Sequence, residues 1–270
     1  RISDKLHEVA SFASKSLQGF ESSHSSDHHL EKLDTIVQSA FKMWVAAAIT
    51  QVSVDSEIDQ LTVPCTLITR LIAERLHILT GKTLDDAAKE MLCSVCNLTL
   101  SSRMNLDQFA ALWKWYSITE HMIIHPLILP HFQDGFIYGF ISAELALQLL
   151  GNKEGQLIIR FSGTKPGCLV IMCYHDARPI QVLVGFEYLE TPANGCFVLG
   201  TARLCTLRQV LSRNNMEMLK FVYPELPIDA PCFKASFDKT KEVVEQSQAS
   251  LDTSSTRYDI DIDKNLLSAR

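Results

Sequence analysis

The chain has 270 residues, of which 47% are hydrophobic and 21% charged, so it can bury a core and is not disordered as a whole. Its 25 Lys and Arg against 31 Asp and Glu give a net charge of -6, which argues against autonomous DNA binding because neutralising phosphates requires a basic surface. No uncharged apolar run reaches the roughly 18 residues that a membrane-spanning helix needs.

The N-terminal half of the sequence has the hydrophobic period of α-helices. Apolar residues at three-and-four spacing predict a first helix that begins at Leu30, after a polar and turn-rich stretch. A second helix is predicted from Pro64, a residue favoured in the first helical turn, to a stop at Gly81.

Two further helices are predicted from capping patterns. Thr83 with Asp86 three residues later is a weak capping box, which predicts a third helix that runs to about Cys96. Asn105 as N-cap with Gln108 at the third helical position predicts a fourth helix that ends before two prolines. The first 130 or so residues are therefore expected to be all-α.

The hydrophobic period then changes. A short helix capped by Ser142 precedes three β-rich runs, GQLIIRFSG, CLVIMCYH and PIQVLVGFE, which Gly and Pro turns separate. Thr206 with Gln209 predicts another helix, and this order describes a small α+β domain built on an antiparallel sheet. Beyond Phe237 the sequence turns polar, which predicts a solvated or partly helical tail.

Arg160 is the most informative single residue. Its neighbours are those of a buried central strand, and alternation places Ile158, Arg160 and Ser162 on one face. A buried guanidinium costs several kcal/mol unless an anion pairs with it. The next residues, 162–167, supply hydroxyls, backbone N–H groups and a lysine in a tight turn, so Arg160 and this turn form a candidate phosphate cradle.

The residues also permit interpretations without a phosphate ligand. An internal ion pair of Arg160 with Glu144 or Glu187 would explain the buried cation as a structural residue. A zinc site would need two pairs with unusual spacing, Cys93 with Cys96 and His121 with His125. We expect no cofactor and no metal, because both pairs lie on predicted helices with apolar neighbours.

Three ordered segments resemble the STAT family (signal transducers and activators of transcription). The DGFIYGFIS stretch at 134–142, followed by IRFS at 159–162, is similar to the family's SH2 domain. The stretch LKFVYPELP at 219–227 resembles the family text after the last SH2 helix. Upstream, NLDQF at 105–109 and WKW at 113–115 are similar to the end of the helical linker domain.

The resemblance implies an α+β architecture in which an all-helical linker domain precedes an SH2 domain, a small antiparallel sheet flanked by helices, and a flexible tail. Residues 1–59 would be a helical segment, a candidate end of a preceding DNA-binding domain, and 60–133 the linker domain. The SH2 domain would cover 134–237, and the tail 238–270.

The resemblance also assigns the candidate site. Arg160 would bind phosphotyrosine bidentately, and Ser162 and Thr164, with the turn N–H groups, would contact the remaining phosphate oxygens. STATs usually place a basic residue where this chain has Ala143. That loss would weaken phosphate binding by roughly 1.5–3 kcal/mol.

Further cations are candidates to replace the missing basic residue: Lys165, His175 and Arg178. The family's acidic residue in the turn appears here as Gly163, a second departure from the pattern. Lys165 belongs to the turn itself and is therefore also a candidate phosphotyrosine-binding residue.

The tail carries Tyr258, which by position resembles the tyrosine that is phosphorylated in STATs. The resemblance implies a phosphotyrosine-binding signalling protein and transcription factor that dimerises, with itself or another STAT-like chain, through reciprocal phosphotyrosine–SH2 contacts. The alternative is a STAT-like scaffold or adaptor that has weak or lost phosphotyrosine binding and no direct transcriptional role. Tyr258 has its own alternative, which is a surface tyrosine that has no function.

The expected partners are tyrosine-phosphorylated peptides or receptors and a tyrosine kinase, with DNA contacted only through regions mostly outside this chain and no membrane. Eight cysteines in mostly apolar runs are typical of the reduced thiols of an intracellular protein. The resemblance implies a location in the cytoplasm and nucleus. No Gly-rich phosphate loop, nucleophile elbow, HExxH or kinase signature occurs, so we expect a binding module and not an enzyme.

Overall fold

A computed structural model of the chain describes residues 62–176, 178–188, 195–213, 221–224 and 226–246. The helix predicted from Leu30, the segment 1–59 and Tyr258 lie outside these residues. The described residues divide into two compact units. The first holds 62–121, 140–142 and 163–166, and the second holds the remainder.

Helices dominate the first unit. They are α1 (Cys65–Thr80), α2 (Asp86–Ser94) and α3 (Leu106–Ile123), whose last two residues group with the second unit. Two short strands, β1 (Val63–Pro64) and β2 (Arg103–Met104), pair antiparallel. The all-α expectation for this region is therefore wrong in one detail, since a short antiparallel ribbon pairs β1, before α1, with β2, between α2 and α3.

Capping explains where these helices begin and end. Helix α1 begins directly after Pro64 and ends at Gly81, whose φ of 76° is the left-handed conformation that glycine adopts readily, as predicted. Helix α2 instead has its N-cap at Asp85, two residues after the predicted cap Thr83. The side chain of Asp85 accepts a hydrogen bond from the Ala88 N–H at 2.8 Å, so this carboxylate is the N-cap.

The capping box of α3 is confirmed in both directions. Asn105 Oδ1 accepts a hydrogen bond from the Gln108 N–H at 2.9 Å, and Gln108 Oε1 accepts one from the Asn105 N–H at 3.0 Å. The Arg75 guanidinium of α1 makes a bidentate contact with the Glu120 carboxylate of α3, at 2.7–3.0 Å. Arg75 also lies over the Trp113 ring, 5.9 Å from its centroid.

A seven-stranded sheet forms the centre of the second unit. Its strands are β3 (Gln156–Phe161), β4 (Cys168–His175), β5 (Arg178–Tyr188), β6 (Gly195–Leu199), β7 (Ala202–Leu204), β8 (Phe221–Val222) and β9 (Leu226–Pro227). The spatial order is β7-β6-β5-β4-β3-β8-β9, and every pair is antiparallel except β3 with β8. The three predicted strands are confirmed as β3, β4 and β5, and the α+β class with a mostly antiparallel sheet is confirmed with them.

Four helices accompany the sheet within the second unit. They are α4 (Leu129–Gln133), α5 (Ala143–Leu150), α6 (Leu207–Arg213) and α7, the helical residues 231–246. Helix α5 begins immediately after Ser142 and packs against β3 and β4. The predicted box at α6 is present, with the Gln209 N–H donating to Thr206 Oγ1 at 3.3 Å and the Thr206 N–H donating to Gln209 Oε1 at 3.2 Å. None of the described helices is both long and apolar enough to cross a membrane.

Helix α7 crosses the boundary at which the tail was expected to begin. Thr240, beyond that boundary, is only 1% exposed. It contacts His131 of α4, a buried residue whose Nδ1 lies 2.9 Å from Ser236 Oγ and whose Nε2 lies 3.4 Å from Thr240 Oγ1. The polar composition after Phe237 therefore includes residues that hold α7 in place.

The hydroxyl groups around His131 indicate which ring nitrogen carries the proton. Ser236 and Thr240 each donate their only hydroxyl hydrogen to a backbone carbonyl, those of Phe233 at 2.8 Å and Phe237 at 3.0 Å. Ser236 Oγ is then the acceptor for a protonated Nδ1 at 2.9 Å. The Thr240 hydroxyl can instead turn to donate to the unprotonated Nε2 at 3.4 Å.

Candidate functional site

Backbone pairing on both sides fixes the position of Arg160 on β3. Its partner on β4 is Val170, and on the other side it forms an isolated parallel bridge with Gly139. The Tyr138 N–H donates to the Ile159 carbonyl at 2.8 Å, and the Phe161 N–H donates to the Gly139 carbonyl at 3.0 Å. Arg160 is consequently 7% exposed, which confirms the predicted buried position.

The guanidinium of Arg160 uses only part of its hydrogen-bonding capacity. Its Nε–H donates to Met172 Sδ at 3.1 Å, and Nη1 donates to the Phe161 carbonyl at 3.1 Å. An arginine has five N–H bonds, so one on Nη1 and two on Nη2 have no partner among the described residues. These bonds lie at the end of the side chain, where arginine presents its bidentate fork to a carboxylate or phosphate.

The electrostatic setting of Arg160 combines burial with the charge of a nearby carboxylate. Burial lowers the pKa of Arg160, while the negative charge of Glu144 acts in the opposite direction. Within the described parts of the chain Arg160 forms no ion pair, and Glu187 pairs with Arg203 at 3.0 Å. The internal ion pair considered from the sequence is therefore wrong for both carboxylates as direct partners.

The turn after β3 contains the other predicted phosphate-binding residues. Ser162 is buried, and its N–H donates to the Cys168 carbonyl at 2.9 Å, which closes the turn. Thr164 and Lys165 are exposed. They group with the first unit, whereas Arg160 and Ser162 group with the second. The second unit thus holds Arg160 and Ser162 at one end of β3.

The structure separates two of the suggested compensating cations from Arg160. His175 and Arg178 face each other at the turn between β4 and β5, whereas Val170 is the β4 partner of Arg160. His175 follows Val170 by five positions along β4, a distance of about 16 Å. Neither cation therefore lies beside Arg160, and the position that Ala143 occupies at the start of α5 has no such substitute on this hairpin.

Met172 is a site residue that the sequence reasoning missed. It lies opposite Ile158 on β4, and Ile158 shares a strand face with Arg160. The alternation of β4 was available from the sequence, but the register between β3 and β4 was not. Without that register, a methionine in an apolar run is indistinguishable from any other core residue.

The cysteine and histidine pairs have ordinary structural surroundings. Burial raises the pKa of Cys93 to about 12, and the Cys96 thiol donates a hydrogen bond to the Gln108 carbonyl at 3.0 Å. His125 lies in an aromatic cluster, with ring centroids 4.8 Å from Phe186 and 5.7 Å from Tyr188. Among the residues with a described structure, no three His, Cys, Asp or Glu side chains are arranged to hold a metal ion.

The fold and this site define an α+β protein with a buried arginine near the end of a central strand, without an ion pair among the described residues. Comparison with models of known protein families finds no family that matches the chain.

Proposed function

We propose that this chain is a phosphotyrosine-binding module of a STAT-like signalling protein, with Arg160 as the residue that binds the phosphate. The observation that carries the proposal is a buried guanidinium without an ion pair among the described residues and with three N–H bonds unused. An uncompensated buried charge is costly, and a bound phosphate would supply both the opposite charge and the hydrogen-bond acceptors.

The depth of Arg160 favours phosphotyrosine over phosphoserine as the ligand. Because Arg160 is 7% exposed, a phosphate at the end of a long side chain would reach its guanidinium more readily than one close to the peptide backbone. The aromatic ring of tyrosine carries its phosphate farther from the peptide backbone than the single methylene of serine does. Planar, bidentate recognition also explains why arginine and not lysine would occupy this position.

The residues after β3 complete the proposed site. Ser162, directly after β3, would donate a hydrogen bond to a phosphate oxygen, whereas Thr164 and Lys165 stay sequence-based predictions as further phosphate contacts. Ala143 provides no second cation, so affinity would fall below that of a site with two basic residues by roughly 1.5–3 kcal/mol. Arg160 would then account for most of the phosphate recognition.

Tyr258 is proposed as the phosphorylated residue of the same signalling cycle. A phosphate on this tyrosine adds about −1.5 to −2 charges and a ligand for Arg160. Two chains that exchange such ligands make two identical contacts about a twofold axis, and each contact raises the effective concentration of the other. The dimer would be the active form, with its transcriptional role carried by regions mostly outside this chain.

Calorimetry with one peptide in three forms tests the binding proposal. The phosphotyrosine form should bind, whereas the unphosphorylated and phosphoserine forms should not. Arg160→Lys should weaken binding at least about tenfold, equal to 1.4 kcal/mol. Arg178→Lys, an exposed substitution at the far end of the β4–β5 hairpin, is the matched control and should leave affinity unchanged. Equal binding of phosphorylated and plain peptides would contradict the proposal.

A scaffold without phosphotyrosine binding is the second candidate, and Ala143 is the observation that favours it. Light scattering of the tyrosine-phosphorylated chain separates the two candidates. A dimer that Tyr258→Phe or Arg160→Lys prevents would support the exchange of phosphotyrosines. A monomer at tens of micromolar, together with measurable peptide binding, would keep the binding site and remove the dimer.

A further inference from the structure

A groove between α6 and α7 is the starting observation. It has a volume of about 840 Å³ and lies wholly within the second unit. Most of its wall area is apolar. The wall includes three apolar side chains, two cations and a thiol: Leu204, Phe237, Val244, Arg208, Lys241 and Cys205. A cavity of this size accommodates several side chains, so the groove is large enough for a short peptide segment.

Two cations, Lys241 and Arg208, line the groove, and they differ in whether a carboxylate pairs with them. Lys241 Nζ lies 3.6 Å from Glu245 Oε1, so these two charges offset each other. Arg208 stacks on Phe237, with its Cζ 5.2 Å from the ring centroid, and has no ion pair among the described residues. Asp238 also lines the groove but does not pair with Arg208. The groove therefore has an apolar surface beside a guanidinium that can form an ion pair with a carboxylate.

The course of the chain brings a matching sequence to this groove. Val244 and Glu245, near the end of the described part of α7, belong to the groove wall, so residues 247–270 begin at one end of it. Within that sequence, Tyr258–Asp263 alternates apolar and acidic residues. In an extended conformation such alternation puts the apolar side chains on one face and the carboxylates on the other.

We propose that the segment Tyr258–Asp263 docks into the α6–α7 groove of its own chain. Tyr258, Ile260 and Ile262 would pack on the apolar wall, and a carboxylate of the other face would pair with Arg208. The twelve residues from Gln246 to Tyr258 span up to about 40 Å, whereas the α7 wall from Phe237 to Glu245 is about 12 Å long. The connection is thus long enough to reverse direction and short enough to keep the effective concentration high.

The docked segment would cover Cys205, so the reactivity of this thiol reports whether the groove is occupied. Cys232 of α7 is exposed and does not line the groove, so it is an internal reference in the same molecule. The unphosphorylated full chain is treated with N-ethylmaleimide, an uncharged reagent, and the alkylation rate of each cysteine is followed by mass spectrometry. The proposal is independent of phosphotyrosine binding, because no phosphate is present and the groove contacts β7, which three strands separate from β3 in the sheet.

The test variant is Ile260→Ser with Ile262→Ser, and the matched control is Leu251→Ser, a similar change outside the segment. Loss of docking should raise the Cys205 rate about fivefold or more and leave the Cys232 rate unchanged. The control should behave as the unaltered chain. Equal Cys205 rates in the unaltered chain and the double variant would overturn the proposal. Protection that disappears on dilution would also overturn it, because the groove would then hold the segment of a second copy.

Discussion

The Nε–H of Arg160 donates a hydrogen bond to the Sδ of Met172, at 3.1 Å across two neighbouring strands. A thioether is a weak and uncharged acceptor, so it orients the guanidinium without neutralising it. The end of the guanidinium keeps its charge and most of its donors for a ligand. A carboxylate in the place of Met172 would satisfy the cation and remove the reason to bind an anion.

Replacement of Met172 by leucine tests this orientation. Leucine keeps the apolar volume but removes the acceptor, which leaves a buried N–H without a hydrogen bond. We expect the free energy of unfolding to fall by about 1–2 kcal/mol more than for Met91→Leu, a buried methionine of α2 that serves as matched control. Urea denaturation measures both variants, and equal losses would mean that the sulfur contact has no stabilising role.

The ion pair between Arg75 and Glu120 should stabilise the first unit. Its side chains are 39% and 10% exposed and meet in a bidentate geometry, so removal of the carboxylate leaves a partly buried guanidinium unpaired. Glu120→Ala is expected to lower the free energy of unfolding by about 2 kcal/mol.

An exposed ion pair in the same unit provides the control for Glu120. Arg70 and Glu74 lie 3.7 Å apart with side chains 65% and 62% exposed. Glu74→Ala should therefore cost less than about 1 kcal/mol. Denaturation curves that show the same loss for both variants would contradict a special contribution from the Arg75 contact.

His131 should make the stability of the protein depend on pH. Burial lowers the pKa of His131 from its ordinary value of 6.5 to about 4. Below pH 6.5 the unfolded chain takes up a proton that the folded chain does not, so stability decreases as the pH falls from 6.5 to about 4. The loss attributable to this residue is at most about 3 kcal/mol.

A His131→Gln variant should lack this part of the acid sensitivity, although its stability at pH 7 is expected to be lower. The exposed His77→Gln variant serves as the control and should follow the unaltered chain throughout. The measurement is the free energy of unfolding in urea at several pH values. Parallel pH profiles for His131→Gln and the unaltered chain would show that His131 does not titrate in this way.

Gly195 on β6 is expected to tolerate no side chain. A Cβ at this position would overlap with Phe186 Cζ and lie 2.9 Å from His125 Cε1, both parts of ring systems in the core. Gly195→Ala should therefore destabilise the protein by about 1–3 kcal/mol. At Gly185 on β5 the nearest atom would be Val198 Cβ at 3.6 Å, an ordinary contact. Gly185→Ala should change stability by less than about 1 kcal/mol, and thermal denaturation compares the two.

Local patterns predicted much of the second unit and of the helical first unit. The capping boxes at Asn105 and Thr206 work over three residues, so the sequence alone contains both partners of each hydrogen bond. The choice between Thr83 and Asp85 as the cap of α2 was less determined, because each is a favoured capping residue and only the backbone conformation selects one.

The candidate site was also predictable from the sequence only in part. An arginine inside an apolar run that alternates like a strand was enough to predict a buried cation, because the residue types and their spacing are local. That Arg160 contacts Met172 and not a carboxylate, and that His131 contacts Thr240 from 109 residues away, was decided by strand register and helix docking. These contacts join distant parts of the chain, and their geometry follows from the packing of whole elements, which no local pattern records.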